Sequence, residues 1–453
     1  MSSLFSSVAS YTTRGELAAG MIPEPDDAIA FLYDHSQVQQ FELRLSPENM
    51  KFLDDDPTAE EWVPGTLVYE GVSYDKVGIR YKGSVGSWIG CVENATPDKM
   101  AAGELDISGA RVCSKLSLKV SFNKYDKEGR FFGVKKLLFH SMNNDPSQLR
   151  DRLAYQLFRW MGVAAPRANH AIVTINGRTG LYANIESVDG RFTRSRFATG
   201  PDDGEGNLYK EVWPTAGALP LAPLTKERLH DALETNEDEA SVDDILLFNE
   251  LIIDDWLKAS GNKEGSPRRH LERYFNVPNL ASFFAVDRTI RADDGPFHFY
   301  CSPEGFLFVT DEWDNTEAKC EPHGAEGPGL MQMPPSCDPL IRTMAESYKG
   351  EYEAAVDRLL SGPFSAATVD ESLERWSGQI RELVAELYSK DAGLISPADW
   401  DAGLEELKSR VYLLRAMASG DVTFKARARG GPAAAEAKGL DTEFFSFFAT
   451  CGV

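Results

Sequence analysis

Apolar and polar residues alternate along the first third of the chain, and a helical spacing takes over afterwards. FELRLS (41–46) has apolar side chains at every second position, as a half-buried strand does. GTLVYEGVSYDKVGIRYKGS (65–84) reads as two strands around a glycine turn, followed by a third. KLSLKVSF (115–122) alternates strictly, with Leu116, Leu118 and Val120 on one side and Lys115, Ser117, Lys119 and Ser121 on the other. NKYDKEGRFFG (123–133) is a turn-rich connection, and KKLLFHS (135–141) is another short strand.

The period then changes. DPSQLRDRLAYQLFRWMG (145–162) carries Leu149, Leu153, Leu157 and Trp160 on one helical stripe. Asp145-Pro146 offers it an N-cap and a first-position proline, and Gly162 ends it. NHAIVTINGRTGLYANIES (169–187) predicts a hairpin around Asn176-Gly177, a pair that tolerates positive φ. Residues 200–206 form a loop, and 226–263 predict two helices. NLASFFAVDRTIRADDG (279–295) is an apolar helix ending in an acidic turn. HFYCSPEGFLFVTDEWD (298–314) is a hairpin around Pro303-Glu304-Gly305. Residues 336–418 read as helical throughout, with a stripe at Leu373, Trp376, Ile380 and Leu383. The order predicts an α+β chain with a β-rich N-terminal lobe, a largely helical C-terminal lobe and a cleft between them. Its expected parts are a tail (1–28), a β-rich lobe (29–135), a mixed core (136–335), a helical part (336–420), and a linker with an apolar tail (421–453).

Composition narrows the function. The 453 residues carry 47 basic and 70 acidic side chains, a net charge of −23. Such a chain repels nucleic acid and anionic membranes, and it has no Lys/Arg block to override that field. No apolar run approaches the ~20 residues that span a bilayer. The N-terminus has no basic segment leading into an apolar one, so a cytoplasmic location is the default expectation. The six cysteines include no CxxC pair, which argues against a zinc ribbon. They are an ordinary load of buried thiols, although Cys91 and Cys113 could close a loop.

Candidate chemistry lies in the acids around the second hairpin. Asp287, Asp293 and Asp294 precede it; Asp311 and Asp314 end its second strand. The two ends of a hairpin meet, so these carboxylates converge and repel one another unless a cation sits between them. An oxygen-rich set of this kind suits Mg²⁺ or Mn²⁺. Phosphoryl transfer needs one carboxylate near the attacking hydroxyl and another on the metal. On the basic side, Arg80 and Lys82 share a strand face before a Gly/Ser turn, and Lys115 and Lys119 share another. A turn of that type can bring backbone N–H groups to a phosphate. Taken singly, each of these residues reads equally well as a solvated or capping side chain.

Several blocks in order resemble the CotH kinase family: VYEGVSYDKVGIRYKGS with KLSLKVSF, the stretch 132–189 around Asp-Pro-Ser-x-x-Arg-Asp and Gly-Leu-Tyr, then FFAVDR, ADDGPFHFY, EWDNTEA and SRVYLLR. The resemblance runs from about residue 29 to 418. It implies an atypical protein-kinase-like fold that uses ATP and a divalent metal to phosphorylate protein Ser/Thr. By position it implies Asp294, or its neighbour Asp293, as the catalytic aspartate. Asp314 is the implied metal ligand, with Asp311, Asn315 and His298 around it. Arg80, Lys82 and Lys115 are implied on the phosphate side, and Glu186 in support; Arg150 and Arg152 are expected to be buried structural pairs. His298 stands where the family commonly has asparagine, and Asn315 follows Asp314 where a second acid is common. The implied partners are a nucleotide and a protein substrate. AMP transfer, or a non-catalytic binding or surface protein on the same scaffold, are the alternatives.

Overall fold

The computed structural model describes residues 27–83, 85–102, 104, 106–197, 204–210, 212–216, 223–238, 241–260, 265–290, 298–302, 305–309 and 339–419. Seven strands close into a barrel: β1 (Gln39–Arg44), β2 (Val63–Tyr69), β3 (Val72–Tyr81), β4 (Leu118–Ser121), β5 (Lys136–His140), β6 (Ala168–Ile175) and β7 (Arg178–Ile185). Neighbours pair in the order β1-β2-β3-β4-β5-β7-β6, and a parallel ladder between β1 and β6 shuts the ring. The expected sheet is thus a closed barrel. It takes strands from both sides of residue 135.

Period-2 alternation gives each strand two different jobs. Leu43, Leu67, Ile79, Leu118, Val120, Leu137, Phe139, Ala171 and Val173 fill the barrel, with Phe41, Phe131 and Tyr69 meeting edge-on or tilted. Their neighbours Leu138, Ala168, Leu181, Ala183 and Ile185 point outward into a second apolar core built with the helices. The chain crosses the turns with residues that accept positive φ: Glu70-Gly71 between β2 and β3, and Asn176-Gly177 between β6 and β7. The expected break between a second and a third strand is instead a bulge. Lys76 lies at φ 59°, and the β2–β3 register slips between Gly65 and Leu67, so Val72–Tyr81 is one strand.

The helices of the second core include α1 (Arg150–Trp160), α3 (Asp243–Ser260), α4 (Pro267–Tyr274), α5 (Val277–Ile290), α6 (Pro339–Ser347), α7 (Lys349–Ser361), α8 (Ala366–Lys390) and α9 (Pro397–Ala418), while α2 (Gly190–Phe197) packs through Phe192 in a small separate cluster with Val188 and Leu208. Residues 339–418 are helical as expected, divided into four helices. Ser365 and Ser396 cap α8 and α9 by accepting the N–H of Thr368 and Asp399, which restarts the chain in a new direction. A small sheet, β8 (Asn207–Lys210), β9 (His298–Ser302) and β10 (Gly305–Val309), runs in the order β10-β9-β8, and β9 with β10 forms the expected hairpin.

α1 begins four residues later than Asp145-Pro146 suggests. Asp145 still serves its start, because its carboxylate accepts from Ser147 N and Oγ and, at 2.8 Å, from Arg150 N. The cap acts across an irregular turn in which Gln148 takes φ 57°. α9 docks on that turn: Trp400 Nε1 donates to Ser147 O at 2.9 Å, and Gly403 lies against Pro146. Cys91 and Cys113 are joined in a disulfide, in place of the expected thiols. No described helix is long and apolar enough to cross a membrane.

Two helical glycines separate packing from propensity. A Cβ on Gly403 would sit 2.5–2.8 Å from Pro146 and the Ser147 backbone, whereas one on exposed Gly378 of α8 would meet nothing within 4 Å. In urea unfolding, Gly403→Ala is expected to cost about 1–3 kcal/mol, and Gly378→Ala to stabilise by about 0.5–1 kcal/mol. Equal shifts of the same sign would refute the docking of α9.

Candidate active site: a basic row on the barrel wall

The ladder registers line up a transverse row on the outside of the barrel. Arg80 pairs with Lys119, Lys119 with Leu138, Leu138 with Ile185, and Ile185 with Ala168. The last three are buried under the helices. The first two are the places where the covered wall gives way to charge. Burial presses the Lys119 ammonium down to about 7, and Lys136, Arg80, Lys82 and Lys210 push the same way. Four of these cations belong to the barrel or its rim, and Lys210 ends β8. The small sheet thus brings its own cation against the barrel wall.

Each cation is held differently. Arg80 ion-pairs with Glu60 and lies 5.1 Å above the Trp62 ring. The same Glu60 accepts the Gly83 N–H at 2.8 Å, so a carboxylate already engages the turn that the sequence offers to a phosphate. A side chain on Gly83 would press on Ser87 and Trp88, which keeps that turn tight. Lys82 Nζ lies 2.9 Å from His140 Nε2, and His140 Nδ1 lies 3.3 Å from Asp151 Oδ2 on α1.

Lys115 does not share the face of Lys119. It stands before β4 begins, so strand alternation does not govern it. Its ammonium turns to Gln148 Oε1 (3.2 Å) and the Leu181 carbonyl, with the Tyr182 ring 5.3 Å away. Burial lowers it to about 7, with Asp145 the opposing charge. Glu186, at the end of β7, is fully enclosed. Arg167, Arg191 and Arg196 engage both its oxygens, and Asp27 ties Arg167 and Arg191 into the same cage. Those arginines hold its carboxyl well below the usual range despite burial. Arg150 and Arg152 are the buried pairs expected: Arg150 with Asp145, Arg152 with the His35 carbonyl (2.7 Å), Gln379 and the face of Trp376.

Asp287 lies near the end of α5, fully buried, 2.8 Å from Arg288 Nε. Asp293, Asp294, Asp311, Asp314 and Asn315 lie outside the described residues. His298 is placed as a backbone position only: it opens β9 opposite Lys210 on one side and Val309 on the other. His298 and Val309 thus lie at the end of the small sheet where Lys210 stands. Among the described residues, no three His, Cys, Asp or Glu side chains gather to hold a metal. Sequence reasoning missed Lys136, Lys210, His140 and Asp151. The link from His140 to Asp151 joins a strand end to a helix start and leaves no local spacing to find.

The chain matches the family model described as CotH kinase protein over residues 79–413. It is 38% identical over 74 residues to the inner spore coat protein H-like protein of Bacillus subtilis (strain 168), covering 16% of this chain and 22% of that one. It is 24% identical over 164 residues to inner spore coat protein H of the same strain, covering 36% of this chain and 38% of that one. The chain thus spans well under half the length of these curated relatives. A chain from a complex of HipA, HipB and operator DNA, a toxin–antitoxin system of Shewanella oneidensis MR-1, aligns over 66% of this chain and 63% of its own, at 14% identity. Its TM-score is 0.26, and that likeness fixes neither fold nor function. The family match takes in well over half the sequence, and the chain belongs to the CotH kinase protein family.

Proposed function

We propose that this kinase-like protein is a metal-dependent protein kinase that moves the γ-phosphate of ATP to a protein Ser/Thr hydroxyl. The observation that carries the proposal is that Arg80, Lys82, Lys136 and Lys210 all act on the half-buried Lys119, in a chain of net charge −23. Partly buried cations pressed against one another are costly to hold without an anion. A triphosphate supplies that anion, and it favours the charged form of Lys119 that burial, and then the neighbouring cations, disfavour.

In this proposal the barrel and the helical body are the two lobes, and the nucleotide lies in a cleft where Lys119 and Lys210 approach. Asp294, or Asp293, accepts the proton of the acceptor hydroxyl. Asp314 and Asp311, with Asn315 and His298, would hold Mg²⁺ or Mn²⁺ through their oxygen-rich set. The metal, when bound, screens the charge on the phosphate oxygens. Lys115 and Glu186 act as supports beneath the site, the first under the α1 turn and the second at the foot of β7.

Incubation of the full chain with metal, a generic protein substrate and either γ- or α-labelled ATP decides the chemistry. Label from the γ position alone is expected; label from the α position would instead establish nucleotidyl transfer. Neither transfer nor a nucleotide-induced thermal shift would end both enzyme readings. Asp314→Ala is expected to abolish metal-dependent turnover, and unchanged turnover would reassign the metal ligand.

The lowered Lys119 predicts a pH dependence. Free Lys119 loses its proton near 7, whereas bound phosphate holds the ammonium form, so above that pH binding takes up a proton. ATP affinity measured by calorimetry should fall as pH rises from 7 to 9, by up to about tenfold per unit for one proton. Lys119→Arg should flatten this slope; an unchanged slope would place the titrating group elsewhere.

A further inference from the structure

The described residues contain one chain of groups that leads from the helical body to the basic row. Asp151 is in the first turn of α1, buried, where the helix dipole favours its negative charge. His140 ends β5 and is equally enclosed. Lys82 follows β3 at the rim, tied to the barrel through its N–H to Ser117 O at 3.0 Å. An ammonium can only donate, so the 2.9 Å contact makes His140 Nε2 the acceptor. The proton then sits on Nδ1, which faces Asp151 at 3.3 Å. The series runs from a lysine that donates to the imidazole to an imidazole whose other nitrogen faces a carboxylate at 3.3 Å.

Burial and the neighbouring Lys82 keep the His140 imidazole below its usual titration range, with Asp151 the opposing influence. A neutral ring is required here, because a protonated one would offer Lys82 a donor and a like charge. The groups facing this chain are Lys82 from the rim of β3 and Asp151 from α1; His170 and Asp145 feel the same Asp151.

We propose that His140 and Asp151 are positioning residues that hold the Lys82 ammonium at the basic row for a phosphate of the bound nucleotide. A direct carboxylate partner would neutralise Lys82. A neutral ring between them orients the ammonium and leaves its charge for the ligand. The proposal rests on the nucleotide site proposed above.

The test compares His140→Gln, His140→Leu and Asp151→Asn with the unaltered full chain. The readouts are ATP affinity by calorimetry at pH 5.5 to 8, the unliganded thermal midpoint, and the ¹⁵N resonances of the histidine rings. Glutamine keeps an acceptor for Lys82 but does not titrate. Expected are a loss of ATP affinity on the order of 100-fold in His140→Leu, the effect of a displaced binding group, and retention within about tenfold in His140→Gln. Affinity of the unaltered chain should drop only toward the acid end of this range, below the ordinary histidine range, where His140 gains a proton, and His140→Gln should remove that drop. Asp151→Asn should shift the His140 ring resonances and weaken ATP binding.

Wild-type affinity in His140→Leu would overturn the proposal. So would a loss in both His140 variants that follows their thermal midpoints, because a purely structural histidine would behave that way. No ATP binding by the unaltered chain would instead reject the nucleotide site itself. In that case Lys82→Met still reads the chain of groups: a shifted His140 Nε2 resonance upholds the contact, and an unmoved one dissolves it.

Discussion

Strands β5, β6 and β7 are buried on both sides, and the rest of the molecule depends on that constraint. Successive residues of β5 face opposite cores: Leu137 and Phe139 point into the barrel, and Leu138 points into the helices. In β7 Tyr182 goes inward while Leu181 and Ala183 go outward. The two cores are therefore two faces of one backbone. A shift of one residue would exchange every partner at once, so the register is fixed from both sides. The same fixed register carries the row from Ala168 to Arg80, which places the cations at the margin of the helical cover.

Much of this was legible from alternation and turns. The hairpin at Asn176-Gly177, the turn at Glu70-Gly71 and the strand of Leu118 and Val120 follow from period 2 and positive φ. Local pattern cannot see closure, because the ladder between β1 and β6 joins residues as distant as Gln39 and Ala171. It also misreads positions just outside an element. Lys115 looks like a partner of Lys119 by spacing, but β4 starts at Leu118 and the alternation has no hold on it. Asp145 reads as a helix cap and is one, acting over an inserted turn whose length no propensity reveals.

The candidate site divides along the same line. Its acids are expected from their order in the sequence and from family resemblance, and Asp293, Asp294, Asp311 and Asp314 lie outside the described residues. The cations Lys136 and Lys210 and the pair His140 and Asp151 come together only through tertiary packing. Glu186 shows the converse. A conspicuous acid after a Gly-Leu-Tyr turn is enclosed by three arginines, which bind the segment around Asp27 to the end of β7.

The β1–β6 ladder has a kinetic consequence. It is the one parallel pairing in the barrel, and it links segments more than a hundred positions apart. The other barrel ladders join strands nearer to each other in the chain, and β2–β3 and β6–β7 are tight hairpins. Loop-closure entropy makes the distant contact the slow one to form. Until β1 docks, β6 presents an open edge of unpaired N–H and C=O groups, of the kind that recruits strands from other chains. The early segment from Gln39 to Arg44 thus acts as the seal on a barrel whose other half is made much later during synthesis, and aggregation during that interval is the hazard built into this topology.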